Sequence, residues 1–135
     1  LVWLVGVIAV LFGRQHRFTV MALAAITLVN GATHIVAGLF TQSYNPGLLT
    51  SVILFLPLSL SYFYEILRHD AAARRLIAAS LVWALLAHAL MVGGLLAANL
   101  FGVIPESLYF LLLVLWSALP LMLFRKEINE QTRSQ

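Results

Sequence analysis

The sequence predicts an all-α fold, a polytopic transmembrane helical bundle with four complete spans and a truncated helix ahead of them. Three observations predict it. Of 135 residues, 62% are hydrophobic and only 10% charged, whereas a soluble domain averages about 45–50% apolar and 25% charged. A water-soluble fold would have too little polar surface to solvate. The apolar residues also gather into long runs, and a bilayer core of about 30 Å takes about 20 residues of helix to cross. Finally, the basic residues fall in alternate loops between those runs.

The elements follow in order. Leu1–Phe12 is too short to span; hydrophobic from its first residue and without Met, it reads as the second half of a helix that begins upstream. Arg14 and Arg17 precede a complete span at Phe18–Phe40. The loop Thr41–Gly47 leads to a second span, Leu48–Leu67. Arg68, Arg74 and Arg75 separate it from Leu76–Phe101, and the loop Gly102–Glu106 leads to a shorter span, Ser107–Phe124. Arg125, Lys126 and Arg133 complete the Lys and Arg total of 8, and the two remaining loops hold none. Basic residues in short loops stay preferentially on the cytoplasmic side. The expectation is therefore a multi-pass protein of the cell inner membrane with a cytoplasmic C-terminus: residues 1–124 form a single transmembrane domain and 125–135 a polar cytoplasmic tail. In the loop Tyr44-Asn45-Pro46-Gly47, Pro presets φ near −65° and Gly accepts a positive φ, which predicts a type II turn on the external side.

Composition also excludes. With no cysteine there are no disulfides, thiolate metal sites or Cys nucleophiles. A pI near 9.8 invites a nucleic-acid reading, but the basic residues are scattered over loops and serve topology instead. No heptad repeat, glycine-rich phosphate loop or HExxH, GxSxG or Walker pattern occurs. Gly93-Gly94, Pro57 and Pro120 lie inside apolar runs, where such residues serve close packing and kinks. The expected partners are the lipid bilayer and either other membrane proteins or further copies of the chain, not nucleic acid.

Polar side chains inside apolar spans are costly and normally face the bundle interior. Thr27, Asn30, His34 and Gly38 recur at three- and four-residue spacing, with Gly31 alongside, so one face of the first complete span carries them. His34 lies roughly 9 Å from the end of that span, at about 1.5 Å per residue. Two roles suit it. It can hydrogen-bond across the bundle together with Asn30, or it can carry a proton or bind a metal, although one His alone is not a metal site. A similar stripe of Ser80, Ala84, His88 and Asn99 marks the Leu76–Phe101 span, and the depth of His88 allows it to share a site with His34. Glu65 is expected to be an interfacial ion partner of Arg68. Tyr62, Tyr64, Tyr109 and Trp116 suit interface anchoring or packing.

The segment from Asn30 to Tyr64, NGATHIVAGLFTQSYNPGLLTSVILFLPLSLSYFY, resembles the HXXEE family of small bacterial membrane proteins. The resemblance brings an Asn and a His one turn apart, a Tyr-x-Pro-Gly turn, a Thr and a Pro in the next helix: Asn30, His34, Tyr44, Pro46, Gly47, Thr50 and Pro57. The family's naming motif, a His followed by paired glutamates, does not occur in this sequence and is expected upstream of Leu1. The family carries no biochemical activity to transfer. A His and two carboxylates near His34 would suit a divalent metal that activates water against a lipid-like substrate. The functional expectation is a small buried polar site with Asn30, His34 and His88 as candidates and His34 as the candidate metal ligand. The alternative is a non-catalytic accessory subunit of a larger membrane complex, in which the same residues only lock helices together.

Overall fold

A computed structural model describes residues 17–123, with backbone alone for Arg17, Ala72 and residues 120–123. Four helices and no strand occur among the described residues: α1 (Arg17–Thr41), α2 (Leu48–His69), α3 (Arg74–Leu100) and α4 (Glu106–Leu123). The expected boundaries at Phe18–Phe40, Leu48–Leu67 and Leu76–Phe101 match α1 to α3 to within two residues. Those three helices hold segments of 24, 22 and 27 residues that are long and apolar enough to cross a membrane. At about 1.5 Å per residue they reach about 33 to 40 Å, more than the bilayer core. The fourth expected span is shorter, its described apolar stretch being Glu106–Leu119. The half-helix Leu1–Phe12 and the tail Arg125–Gln135 lie outside the described residues.

The spans are clad in exposed apolar side chains. Leu39, Leu49, Ile53, Leu58, Val82, Leu85 and Leu111 all face outward, a surface that water would penalise and hydrocarbon solvates. The chain divides into two compact units, Met21–Leu85 and Leu1–Val20 with Leu86–Gln135.

In the Met21–Leu85 unit the core joins Met21 and Ala25 of α1 to Phe63 of α2 and to Ala73, Ile77 and Ala84 at and along the start of α3. Half of its members are alanine, and Ser51, Ser59 and Ser80 are buried as well. Small residues let helix backbones approach where no hydrophobic effect drives helices together. Gly31 shows how close they come: a Cβ there would lie 2.5 Å from Leu56 Cδ1 and 3.2 Å from Phe55 Cβ.

The first turns of α2 are irregular for a covalent reason. Pro57 has no N–H and its ring crowds the carbonyl four residues back. The preceding stretch Ser51–Phe55 widens to a π-helix, and Leu56 N–H donates to Ser51 O, five residues back. Regular α-helix resumes at Leu56–His69. Beyond His69 the chain turns at Asp70 (φ −145°, ψ 90°) through a short 3₁₀ turn, Ala71–Ala73. Here Glu65 Oε1 lies 2.7 Å from His69 Nε2. The partner expected for Glu65 was Arg68; positions three and four along a helix both neighbour Glu65, and the ion pair it makes is with His69, at the fourth.

In the other unit, α3 also ends in a π-helical stretch, Leu96–Leu100. Phe101 N–H donates to Leu96 O at 3.0 Å and Val103 N–H to Ala97 O at 2.8 Å, with Gly102 between them at φ 61°. Pro105 then caps α4, its carbonyl accepting from Leu108 and Tyr109. Tyr109 and Leu113, one turn apart, are the buried side chains of α4 among the described residues. The Tyr109 ring sits over Gly94, where a Cβ would meet it at 2.6 Å, and its hydroxyl donates to Met91 O at 3.1 Å.

Candidate functional site

The polar stripe of α1 resolves into residues with different surroundings. Thr27 donates its hydroxyl to Leu23 O at 2.8 Å, the back-bond with which Thr satisfies itself inside a helix. Asn30 is half-buried and makes no hydrogen bond to another described residue. The expected bonding of Asn30 and His34 across the bundle is therefore not what holds His34.

His34 is held by the loop. The turn runs from Asn45 to Leu48, one residue later than expected, with Pro46 second and Gly47 third. Leu48 N–H donates to Asn45 O at 3.1 Å and Gly47 has φ 103° and ψ −16°, the values of the third residue in a type II turn. This turn directs Asn45 back onto α1. Asn45 Nδ2 donates to the His34 backbone carbonyl at 2.9 Å, and Asn45 Oδ1 lies 2.8 Å from His34 Nδ1. His34 and Asn45 are both half-buried.

The two bonds assign the ring. Because Nδ2 donates to the carbonyl, the other end of the carboxamide is the oxygen, an acceptor only. Nδ1 must therefore carry the proton, and in the neutral ring Nε2 bears the lone pair. An acceptor on one ring nitrogen fixes tautomer and ring orientation in metal-binding histidines by the same means.

Gly47 completes the arrangement. A Cβ on it would lie 2.8 Å from His34 Cε1 and 2.9 Å from Nε2, so the bare backbone lets the ring settle onto the turn. Ser51, fully buried, anchors the turn from α2 by donating to Gly47 O at 2.7 Å. Gly38, a turn beyond His34, makes room for Asn45 Nδ2 and Leu48, both 3.3 Å from where its Cβ would be.

Thus the structure gathers His34, Gly38, Asn45, Gly47 and Ser51 at the loop end of the α1–α2 hairpin. Thr50 and Pro57 are exposed and stand outside this cluster. His88 is half-buried on α3 and belongs to the unit that does not contain His34. Among the described residues no three His, Asp or Glu side chains gather as a metal site, so His34 is a single potential ligand there. Asn45 was missing from the expected site residues. Its signal was available, since Asn before Pro-Gly is a side chain whose direction the turn dictates.

No curated protein and no solved structure matches the chain. Residues 1–62, the stretch that holds His34, Asn45 and Gly47, match the HXXEE family model, described as a protein of unknown function with HXXEE motif, in agreement with the resemblance carried by the Asn30–Tyr64 segment.

Proposed function

We propose that the chain is a multi-pass protein of the cell inner membrane, with its C-terminus in the cytoplasm, that presents His34 Nε2 as a base or metal ligand toward a lipid-like substrate. The observation that carries this reading is the paired hydrogen bonding of Asn45 to the ring and backbone of His34. A residue needed only to fill space has no use for a defined tautomer, whereas proton transfer and metal binding both require a known nitrogen with a lone pair. The base role uses the described residues alone; the metal role needs further donors. Orientation rests on the Lys and Arg pattern: a reporter inserted at Ser43 is expected outside the cell and one at the C-terminus inside. A cytoplasmic Ser43 reporter would overturn it.

The second reading is the accessory subunit. It is favoured by the bond from Asn45 Nδ2 to the His34 carbonyl, which pins the loop to α1 without any chemistry. His34→Gln separates the two. Glutamine keeps a donor and an acceptor, and such bonds average only about 0.6 kcal/mol in membranes, so a structural lock should survive with a small change in Tm. A chemical role predicts loss of bound metal by elemental analysis, or loss of lipid conversion in proteoliposomes by mass spectrometry, at nearly unchanged Tm. A variant that loses stability alone would leave His34 as a packing residue.

A further inference from the structure

The loop end of the α1–α2 hairpin carries a second feature, separate from the His34 ring. A groove of about 330 Å³ opens there, walled by Ile35, Gly38, Leu39 and Leu48 and rimmed by Gln42, Ser43 and Tyr44. We infer that it binds one acyl chain of a glycerolipid together with the ester group at the head of that chain.

Three observations select this occupant. First, the walls are aliphatic and belong to the last turns of a span and the first turn of the next, so the groove faces the depth at which a bilayer passes from hydrocarbon to ester and headgroup. Second, the rim has no formal charge, since the loop Thr41–Gly47 contains no Lys, Arg, His, Asp or Glu; it therefore selects for a neutral oxygen and not for a phosphate or a carboxylate. Third, the rim keeps donors to spare. Ser43 spends its O–H on Thr41 Oγ1 at 2.9 Å, and Thr41 in turn donates to Ala37 O at 2.8 Å. The Gln42 carboxamide and Tyr44 hydroxyl make no hydrogen bond to another described residue, and Tyr44 is 71% exposed. Both match an ester carbonyl, which accepts and cannot donate. A partner helix is a poor fit, because it is about 10–12 Å across with its side chains and a groove of this size does not seat one.

The chain reaches this geometry through Gln42, whose φ of 49° is the single positive value at a non-glycine among the described residues. It breaks α1 after Thr41 and swings Ser43 and Tyr44 over the groove. The inference does not depend on the chemistry of His34.

The test uses the protein in phosphatidylcholine nanodiscs that contain a phosphatidylcholine with a photoactivatable diazirine on one acyl chain. After irradiation, labelled peptides are mapped by mass spectrometry. Label should concentrate several-fold on Ile35, Leu39 and Leu48 relative to Val82 and Leu85, which are 57% exposed on α3 and report ordinary bilayer contact. Gly38→Leu fills the groove and should reduce its label to the α3 level. The Gln42→Ala/Tyr44→Phe double variant alters exposed side chains only and should do the same with the fold intact. Equal labelling of the groove and α3 in the unaltered protein would mean bulk lipid contact and overturn the proposal. A groove left unlabelled while α3 is labelled would mean that something other than lipid covers it, such as a second copy of the chain, and would overturn it as well.

Discussion

The α1–α2 and α3–α4 connections solve the same problem with different materials. Both are short, both contain a proline, Pro46 or Pro105, and both reverse through a glycine at positive φ, Gly47 at 103° and Gly102 at 61°. In the first, the loop is tied to the helix by side chains: Asn45 brackets His34, Ser51 holds Gly47 O, and Gly47 itself lies against the imidazole. In the second, nothing lies within 4 Å of where a Gly102 Cβ would be. The fastening is instead set back from the loop, where Tyr109 of α4 fits onto Gly94 of α3. Both hairpins have a glycine notch along their length, Gly31 against Leu56 and Gly94 under Tyr109, and the first adds a polar clasp at its tip. The polar clamp fixes the orientation of the His34 ring, which packing alone would leave free to flip.

The contrast is sharpest for valine at the two turn glycines. Gly47→Val places a branched side chain in the left-handed region and against His34 at once, and should cost about 3 kcal/mol or more. Gly102→Val meets open space and should cost about 1–2 kcal/mol from the backbone alone. Thermal melting of the purified protein in detergent reads both, and equal losses would show that the His34 contact adds nothing. Next comes Gly94→Ala. Its methyl would sit 2.6 and 2.8 Å from the Tyr109 ring, and a buried ring that must move costs about 2 kcal/mol by overpacking. An unchanged Tm would place the ring elsewhere. The smallest effect is Tyr109→Phe, which removes one hydrogen bond to Met91 O and keeps the ring on Gly94. It should cost about 0.6 kcal/mol, and a loss as large as that of Gly94→Ala would shift the weight of the second hairpin from packing to polarity.

Particular residues show what could be read in advance. Three helices of spanning length were legible because apolar length is a property of the chain in one dimension: twenty-odd residues without charge have few stable alternatives to a helix suited to a membrane. The Pro46-Gly47 turn was legible because each residue states its own backbone angle. The inward placement of His34 followed from spacing, but its partner did not. The expected bond ran across the bundle, for Asn30 and His34 alike. The residue that bonds His34 is Asn45, eleven positions on and in the loop. Glu65 was assigned Arg68, three positions on, and pairs with His69, four positions on; the helical period allows both, so the pattern alone could not choose between them.

What the sequence by itself determined, for the described residues, is the all-helical character, three helices long and apolar enough to cross a membrane, their boundaries to within two residues and the Pro-Gly turn to within one. These follow from hydrophobic length and from Gly and Pro, which act on the backbone locally. Only the tertiary structure decided which atom faces which: that Asn45 reaches His34, that Nδ1 carries its proton, that Gly47 lies bare beneath the ring, and that Gly94 receives Tyr109. Such contacts join residues on different elements, and their distances depend on how closely two helices approach and where the intervening loop folds back, quantities no local pattern of residues encodes.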